Sequence, residues 1–514
     1  MPVSVNEFKL NPLDGSTTTE YGDGSITTGS ILPAATLTAD DTAKLRAAIP
    51  AAPLMPYAVM ASPPAVSVGA ANAASAIAGS TLIPPGQVGA FRYSGGAVLF
   101  DRGGSRPTIG KYTGTTSQAY GAIEFVFETT DATGRFELSI RGDGDASRGR
   151  LLYRKPGDST WQAFSVGPSY TIPIDGNGYL VLVTLGAAGK YEIRLEGVRA
   201  LLNGVAVPAG SSITAMPPKA GPRVIVPGDS FTEPTLNETS LVTCPADGWA
   251  SQLGFLTGLD VWPAGKGGTG FLNGGAGNTY RERWTAELQN YVRPRDIVLI
   301  AGGINDSNRT YAEVYAEALT LFQMVMAKGA FLRVVSPFYP KGANKAGVTA
   351  FWSVCDAVKD ACAAAGGKYI DLISLPQHDF TASFGGTTVV QTGVSSRLVV
   401  GDIPAAYKPG TTTTGGQWWK IGSGVNQQIA RSTYINGSEG AWQIEFEGVT
   451  YANWPIGTPV TTVGASYQTG SGKQGAVAGD GNSDLFTGPD GTHPTRAGHL
   501  NISKIVAPLF LASF

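Results

Sequence analysis

Residues 224–234 read VIVPGDSFTEP, and this stretch decides the fold. The β-branched run Val224 to Val226 is the pattern of a buried strand. It breaks at Pro227-Gly228, and the next two residues, Asp229 and Ser230, are polar. Proline and glycine punctuate local structure, so the strand ends by presenting a serine on a tight corner. Further strand-like runs follow at LDVW (259–262), DIVLIAG (296–302), FLRVVS (331–336) and KYIDL (368–372). Helical patterns lie between them: DGWASQLGFLTG (247–258), NTYRERWTAELQNYV (278–292), and two over 309–328 and 346–365. Val314, Ala318, Leu321 and Val325 mark one apolar stripe of the 309–328 helix. Five strands alternating with helices predict an α/β unit, a doubly wound parallel sheet with right-handed crossovers.

Working outward, residues 86–215 read as all-β. AIEFVFET, RFELSIRG, RLLYRK, WQAFSV, GYLVLVTL and KYEIRLEGV are short and rich in aromatic and β-branched residues, with turns such as PGDST and DGNG between them. Their spacing predicts a β-sandwich, jelly-roll-like in outline. Residues 1–85 predict an extended attachment arm. DGSTTTEYGDGSITTGS resists packing into a core, one short helix is expected in LTADDTAKLRAAI, and the Ala-, Gly- and Pro-rich remainder is read as running over a neighbouring chain or domain. Residues 376–486 return to Gly, Thr and aromatic content and predict a β-rich insertion into the unit that spans 216–514. PDGTHPTRAGHLNISKIVAPLFLASF (489–514) then supplies a closing helix.

Composition narrows the function classes. The chain has 514 residues, 15% charged, with a formal net charge of -2, which gives no electrostatic basis for a nucleic-acid partner. No run approaches the roughly 18 apolar residues of a membrane helix, and the start, MPVSVNEFKLNPLDGS, has no signal-peptide pattern. Cys244, Cys355 and Cys362 are too few for a disulfide framework and read as buried small hydrophobes. The histidines are His378, His493 and His499.

Ligands of open α/β sheets gather beyond the carboxyl ends of the strands. Beyond the first strand lies Gly228-Asp229-Ser230. Beyond the second lies AGKGGTG (264–270), and beyond the third Gly302-Gly303-Ile304-Asn305-Asp306. Asp490-Gly491-Thr492-His493 precedes the last helix. Serine becomes a nucleophile when a base takes its proton. His493 fits the base, and Asp490 fits the carboxylate that orients it. The amides of Ser230 and a loop glycine, with the side-chain NH2 of Asn305, fit the donors an oxyanion needs. Gly267, Gly268 and Gly270 of the loop compete for that role. Each motif alone reads more readily as a turn or a helix cap; their order is what points to catalysis.

Gly265-x-Gly267-x-x-Gly270 also fits a dinucleotide fingerprint, but it follows a second strand, and FLNGGAGN intervenes before any helix. No metal-ligand spacing and no cofactor motif is read.

The order GDS, Gly-rich loop, GxND and DxxH resembles the SGNH (GDSL-type) hydrolase family, over about residues 220–375 and 487–514. The resemblance implies a flavodoxin-like sheet and an esterase, lipase, thioesterase or carbohydrate deacetylase. It implies Ser230 as nucleophile, Asp490 and His493 as acid and base, and Ser230, Gly268 and Asn305 as oxyanion hole. Pro263 departs from the family pattern, where the second block often opens on asparagine.

A sandwich ahead of such a unit resembles some carbohydrate esterases, and the Gly/Thr-rich arm resembles virion-attached phage tail proteins. Together they imply a virion enzyme, made in the host cytoplasm, that removes O-acyl groups, chiefly acetyl, from a bacterial surface polysaccharide. The arm would join other tail proteins in a homo-oligomer, a trimer by analogy. Trp418, Trp419 and Trp442 are read either as sugar platforms or as the core of the insertion. Two other functions stay open: a non-catalytic glycan receptor-binding tail protein on a hydrolase scaffold, and a lipase or thioesterase of the same family.

Overall fold

The structure, a computed structural model, describes residues 57–101, 104–108, 121–142, 147–198, 200–219, 221–233, 244–275, 278–338, 348–372, 383–392, 396–403, 418–423, 428–446, 449, 451, 454–463 and 493–514, with the backbone at 5–10, 16–21 and 26–30.

Five parallel strands form one sheet: β1 (Val224–Gly228), β2 (Val261–Gly265), β3 (Ile297–Ala301), β4 (Phe331–Val335) and β5 (Lys368–Ile370). Its helices are α1 (Trp249–Thr257), α2 (Tyr280–Ala286), α3 (Tyr311–Ala327), α4 (Val348–Ala364) and, after the insertion, α5 (Arg496–Ala512). The spatial order is β2-β1-β3-β4-β5, the order of flavodoxin-like sheets. The first four strands are buried along their whole length, as a sheet covered on both faces requires. Alternate side chains enter separate cores. Val224, Val226, Ile297 and Leu299 meet Trp249 and Leu253 of α1 and Ile502, Val506 and Phe510 of α5. Ile225, Val298 and Ile300 meet Trp284 of α2, Val314 and Leu321 of α3, and Val358 of α4. Thr279 and Thr310 start α2 and α3 with capping boxes closed by Glu282 and Glu313.

The register places the site. Gly228, the last residue of β1, pairs with Gly265 of β2 and with Ala301 of β3. The three strands therefore stop at one level, and the chain segments that leave them start side by side.

Ahead of this unit lie two antiparallel sheets. One contains Ala122–Thr129, Ser147–Arg154 and Gly189–Val198; the other contains Arg135–Gly142, Gly178–Thr184 and Ala200–Val207. Phe125 and Phe127 of the first share an apolar cluster with Phe136, Leu138 and Ile140 of the second. The expected boundary at 85/86 is corrected: Ala58–Val59, Ala65–Val68 and Thr81–Ile83 pair with these sheets. Their Ala, Val and Ile side chains suffice for short edge strands, which the surrounding glycine and proline concealed. The extended reading of the first residues is corrected too, since Val5–Leu10, Ser16–Tyr21 and Ile26–Ser30 form a three-stranded antiparallel sheet. The helix expected in 37–49 lies outside the described residues.

The insertion is a closed six-stranded barrel, in the order Ser383–Gln391, Leu398–Val400, Ala441–Phe446, Gln428–Ser438, Trp418–Ile421 and Pro459–Val463. It corrects the sugar-platform reading of two tryptophans. Trp419 is 0% exposed and Trp442 6%, both packed with Val400, Ile421 and Ile444 in the barrel core. A ring with no free face cannot stack on a sugar. The side chain of Trp418 lies outside the described residues. All three cysteines are buried, and none is in a disulfide.

Trp419→Ala should therefore destabilise the barrel by about 3–5 kcal/mol, the usual cost of emptying a buried aromatic site. Chemical denaturation measures it. A variant as stable as wild type that has lost glycan binding would restore the platform reading.

Candidate active site

Beyond β1 the backbone turns at once. The Asp229 carbonyl accepts from Thr232 N–H at 3.1 Å and from Glu233 N–H at 2.8 Å. The Asp229 carboxylate accepts from Phe231 N–H at 2.9 Å and from the Tyr280 hydroxyl at 3.3 Å. The aspartate thus holds the residues on both sides of the corner, and Ser230 stands at its apex, partly exposed. Phe231 anchors the far side, fully buried and stacked on Phe338 with ring centroids 5.0 Å apart. The corner exposes serine because its neighbours are tied down.

The loop after β2 lies against this corner. The position that a Cβ on Gly267 would occupy is 3.6 Å from the Ser230 Cβ. The Glu233 carboxylate accepts from Gly267 N–H. Gly270 N–H donates to the Asn273 carbonyl at 2.7 Å. Of the three competing glycines, Gly268 alone has an N–H without an acceptor among the described residues. Its φ of 72° is the left-handed region that favours glycine.

The turn after β3 completes the group. Asn305 Nδ2 donates one hydrogen to the Thr269 carbonyl at 2.8 Å, and an amide NH2 carries two. Ser230 N–H also has no acceptor among the described residues. Ser230 and Gly268 thus keep unused backbone donors, and Asn305 keeps one hydrogen, around one patch of loop.

His493 arrives from the other end of the unit. Its ring centroid is 6.0 Å from that of Phe231, and it lies near enough to Asp229 to oppose the effect of burial on that carboxylate. Asp490 and His378 lie outside the described residues. His499 is buried, and its Nδ1 accepts from Trp249 N–H at 3.3 Å. Burial lowers its pKa to about 3, with His493 nearby acting in the same direction, so it stays neutral.

Three supporting residues escaped the sequence reading. Arg283 of α2 is fully buried and donates to the Gly228 carbonyl at 3.0 Å, to Thr269 Oγ1 at 3.1 Å and to the Ala264 carbonyl, lacing the ends of β1 and β2 to the loop. Asp306 accepts from Phe271, Leu272 and Asn273 N–H at 2.7, 3.0 and 2.9 Å, fixing the rest of that loop beside Asn305. Burial raises its pKa against those three bonds. Tyr280 supports Asp229 from below. Asp306 had a signal, since it follows Asn305 directly; Arg283 had none beyond helical periodicity.

Burial raises the Asp229 pKa from 3.8 to about 6, outweighing the Phe231 and Tyr280 hydrogen bonds and His493. A raised carboxylate pKa means that the folded state holds a proton that the unfolded chain releases between those values. The contribution is favourable at low pH and is lost as pH rises through 6; a shift of this size corresponds to about 3 kcal/mol. Asp229→Asn should therefore gain stability relative to wild type by about 2 kcal/mol between pH 4 and pH 7. Urea unfolding at four pH values measures this, and parallel profiles would contradict the assignment.

No family model matches the chain, and no curated protein does. Solved structures similar to it include an active-site mutant of a family two carbohydrate esterase from Clostridium thermocellum, at 17% identity over 58% of this chain and 91% of that one, TM-score 0.42. A salicylyl-acyltransferase of a tetracycline biosynthetic pathway is similar at 13% identity over 60% of this chain and 89% of that one, TM-score 0.43. An acetyl xylan esterase from Geobacillus stearothermophilus is similar at 18% identity over 30% of this chain and 77% of that one, TM-score 0.24.

Proposed function

We propose that this chain is a serine esterase of the SGNH (GDSL-type) kind. The observation that carries the reading is the set of donors at Ser230, Gly268 and Asn305 left unused among the described residues, beside a serine whose neighbour Phe231 has its ring 6.0 Å from that of His493. In this reading His493 takes the Ser230 hydroxyl proton as Oγ bonds to the acyl carbon. The carbonyl oxygen becomes an oxyanion held by the three donors, each typically worth about 3–4 kcal/mol of barrier. The ester C–O bond then breaks, and the imidazolium gives its proton to the leaving alcohol. Water, deprotonated by His493, releases the acid from the acyl-enzyme. Asp490 orients the imidazole.

The substrate reading is an O-acylated, chiefly O-acetylated, bacterial surface polysaccharide, met by a virion-borne oligomer. It is supported by the sequence: the motif order and the Gly/Thr-rich first segment.

Ser230→Ala should cut acetate release from acetylated glycan by at least about 10³-fold, with an unchanged circular dichroism spectrum. Unchanged release from that variant would end the proposal. Fluorophosphonate should label Ser230; a protein that binds glycan but takes no label would instead be the non-catalytic receptor binder. Turnover of long-chain in preference to short-chain esters would replace the deacetylase by a lipase or thioesterase.

A further inference from the structure

We infer that the N-terminal β unit is a working part of the site, with Tyr57, Arg150 and Asp247 as positioning residues that act on His493 through Arg496. The inference rests on the esterase reading for what His493 does. Its geometry stands apart from that reading.

The Tyr57 hydroxyl is the hub. It donates to Asp247 Oδ1 at 2.7 Å, accepts from Arg150 Nη1 at 2.7 Å and accepts from Arg496 Nη2. One donor and two lone pairs are a hydroxyl's whole capacity. Arg150 also donates to Asp247 Oδ1 at 2.9 Å and reaches Glu196 Oε2 at 2.7 Å. Arg496 Nε lies 3.3 Å from Asp247 Oδ1. The two guanidinium groups face two carboxylates, and Glu196 also accepts from Arg194 Nε at 2.8 Å. Arg150, Glu196 and Asp247 are no more than 1% exposed, so the low local dielectric makes the set costly to disturb. Tyr57, Arg150 and Glu196 come from the antiparallel sheets and the segment leading into them. Asp247 comes from the approach to α1, and Arg496 from the first turn of α5.

Arg496 is the link to the chemistry. Only Pro494 and Thr495 separate it from His493. Proline fixes its own φ and restricts the residue before it. Thr495 caps the helix, accepting from Gly498 N–H at 3.1 Å. The two-residue connection is therefore stiff, and fixing the first turn of α5 fixes the backbone that carries the imidazole. A misplacement of about 1 Å at a reacting group can cost 10²-fold in rate, so a partial loosening is expected to cost about 10-fold.

The test compares full-length Tyr57→Phe, Arg496→Met and Arg496→Lys with wild type. The chain has three histidines, so histidine-labelled protein gives few imidazole NMR signals, and His493→Gln assigns the one of interest. The His493 signal should move in Tyr57→Phe and in Arg496→Met, while kcat for a short-chain ester falls about 10-fold and KM stays within about two-fold. Arg496→Lys should recover part of the kcat loss. Tyr57→Phe differs by one oxygen atom, which keeps the test decisive if Arg496→Met fails to fold. An unmoved signal with unchanged kcat overturns the inference, as does a KM rise at constant kcat. A signal that moves in a protein whose Ser230 takes no fluorophosphonate upholds the positioning and ends the esterase reading instead.

Discussion

The pairing of Gly228 with Gly265 on one side and Ala301 on the other is the constraint on which everything else depends. Parallel strands in register deliver their outgoing segments to one edge of the sheet. Because these three strands stop level, the serine corner, the glycine loop and the asparagine turn begin within a few ångströms of each other. A slip of one residue in β1 would send Val224 and Val226 to the wrong core and turn the corner away from the loop. Burial of the strands on both faces resists that slip, so the packing that stabilises the sheet also fixes the relative positions of the candidate donors.

Register alone leaves loops free to move. Here they are pinned by polar groups placed where burial is expensive. Arg283 spends its guanidinium on backbone carbonyls at the ends of β1 and β2, and Asp306 collects three successive amides. Asp229 is held in a setting that opposes its own ionisation. Each would be destabilising in isolation, and together they leave Ser230 and Gly268 with N–H groups unclaimed among the described residues. Preorganised donors need no rearrangement as charge develops, which is what gives them catalytic weight.

The readable part of the molecule was its local part. Hydrophobic period and turn chemistry act over a few residues, so β1 to β5, their helices and the residues just beyond each strand end could be read directly. Ser230, the glycine loop and Asn305 follow from that, because the rule concerning strand ends needs no knowledge of distant contacts; the choice of Gly268 within the loop rested on the family resemblance. Tyr57 and Asp247 could not be read, since the bond between them spans 190 positions and no local pattern announces it. Trp419 and Trp442 stayed undecided for another reason. An aromatic in a short strand suits an exposed platform and a small core equally, and only closure of the barrel decides between them. The short strands at Ala58–Val59 and Thr81–Ile83 were hidden by the glycine and proline around them, although they gain their place by pairing with a sheet formed further along the chain.

The central claim is that the hydroxyl, the imidazole and the three donors form one reactive centre. A crystal structure of the protein after treatment with a small phosphonate ester tests it most directly. The account predicts phosphorus bonded to Ser230 Oγ, its unesterified oxygen within hydrogen-bond distance of Ser230 N–H, Gly268 N–H and Asn305 Nδ2, and His493 within reach of Oγ. An unmodified Ser230, or an adduct whose oxygen points away from those donors, would contradict it.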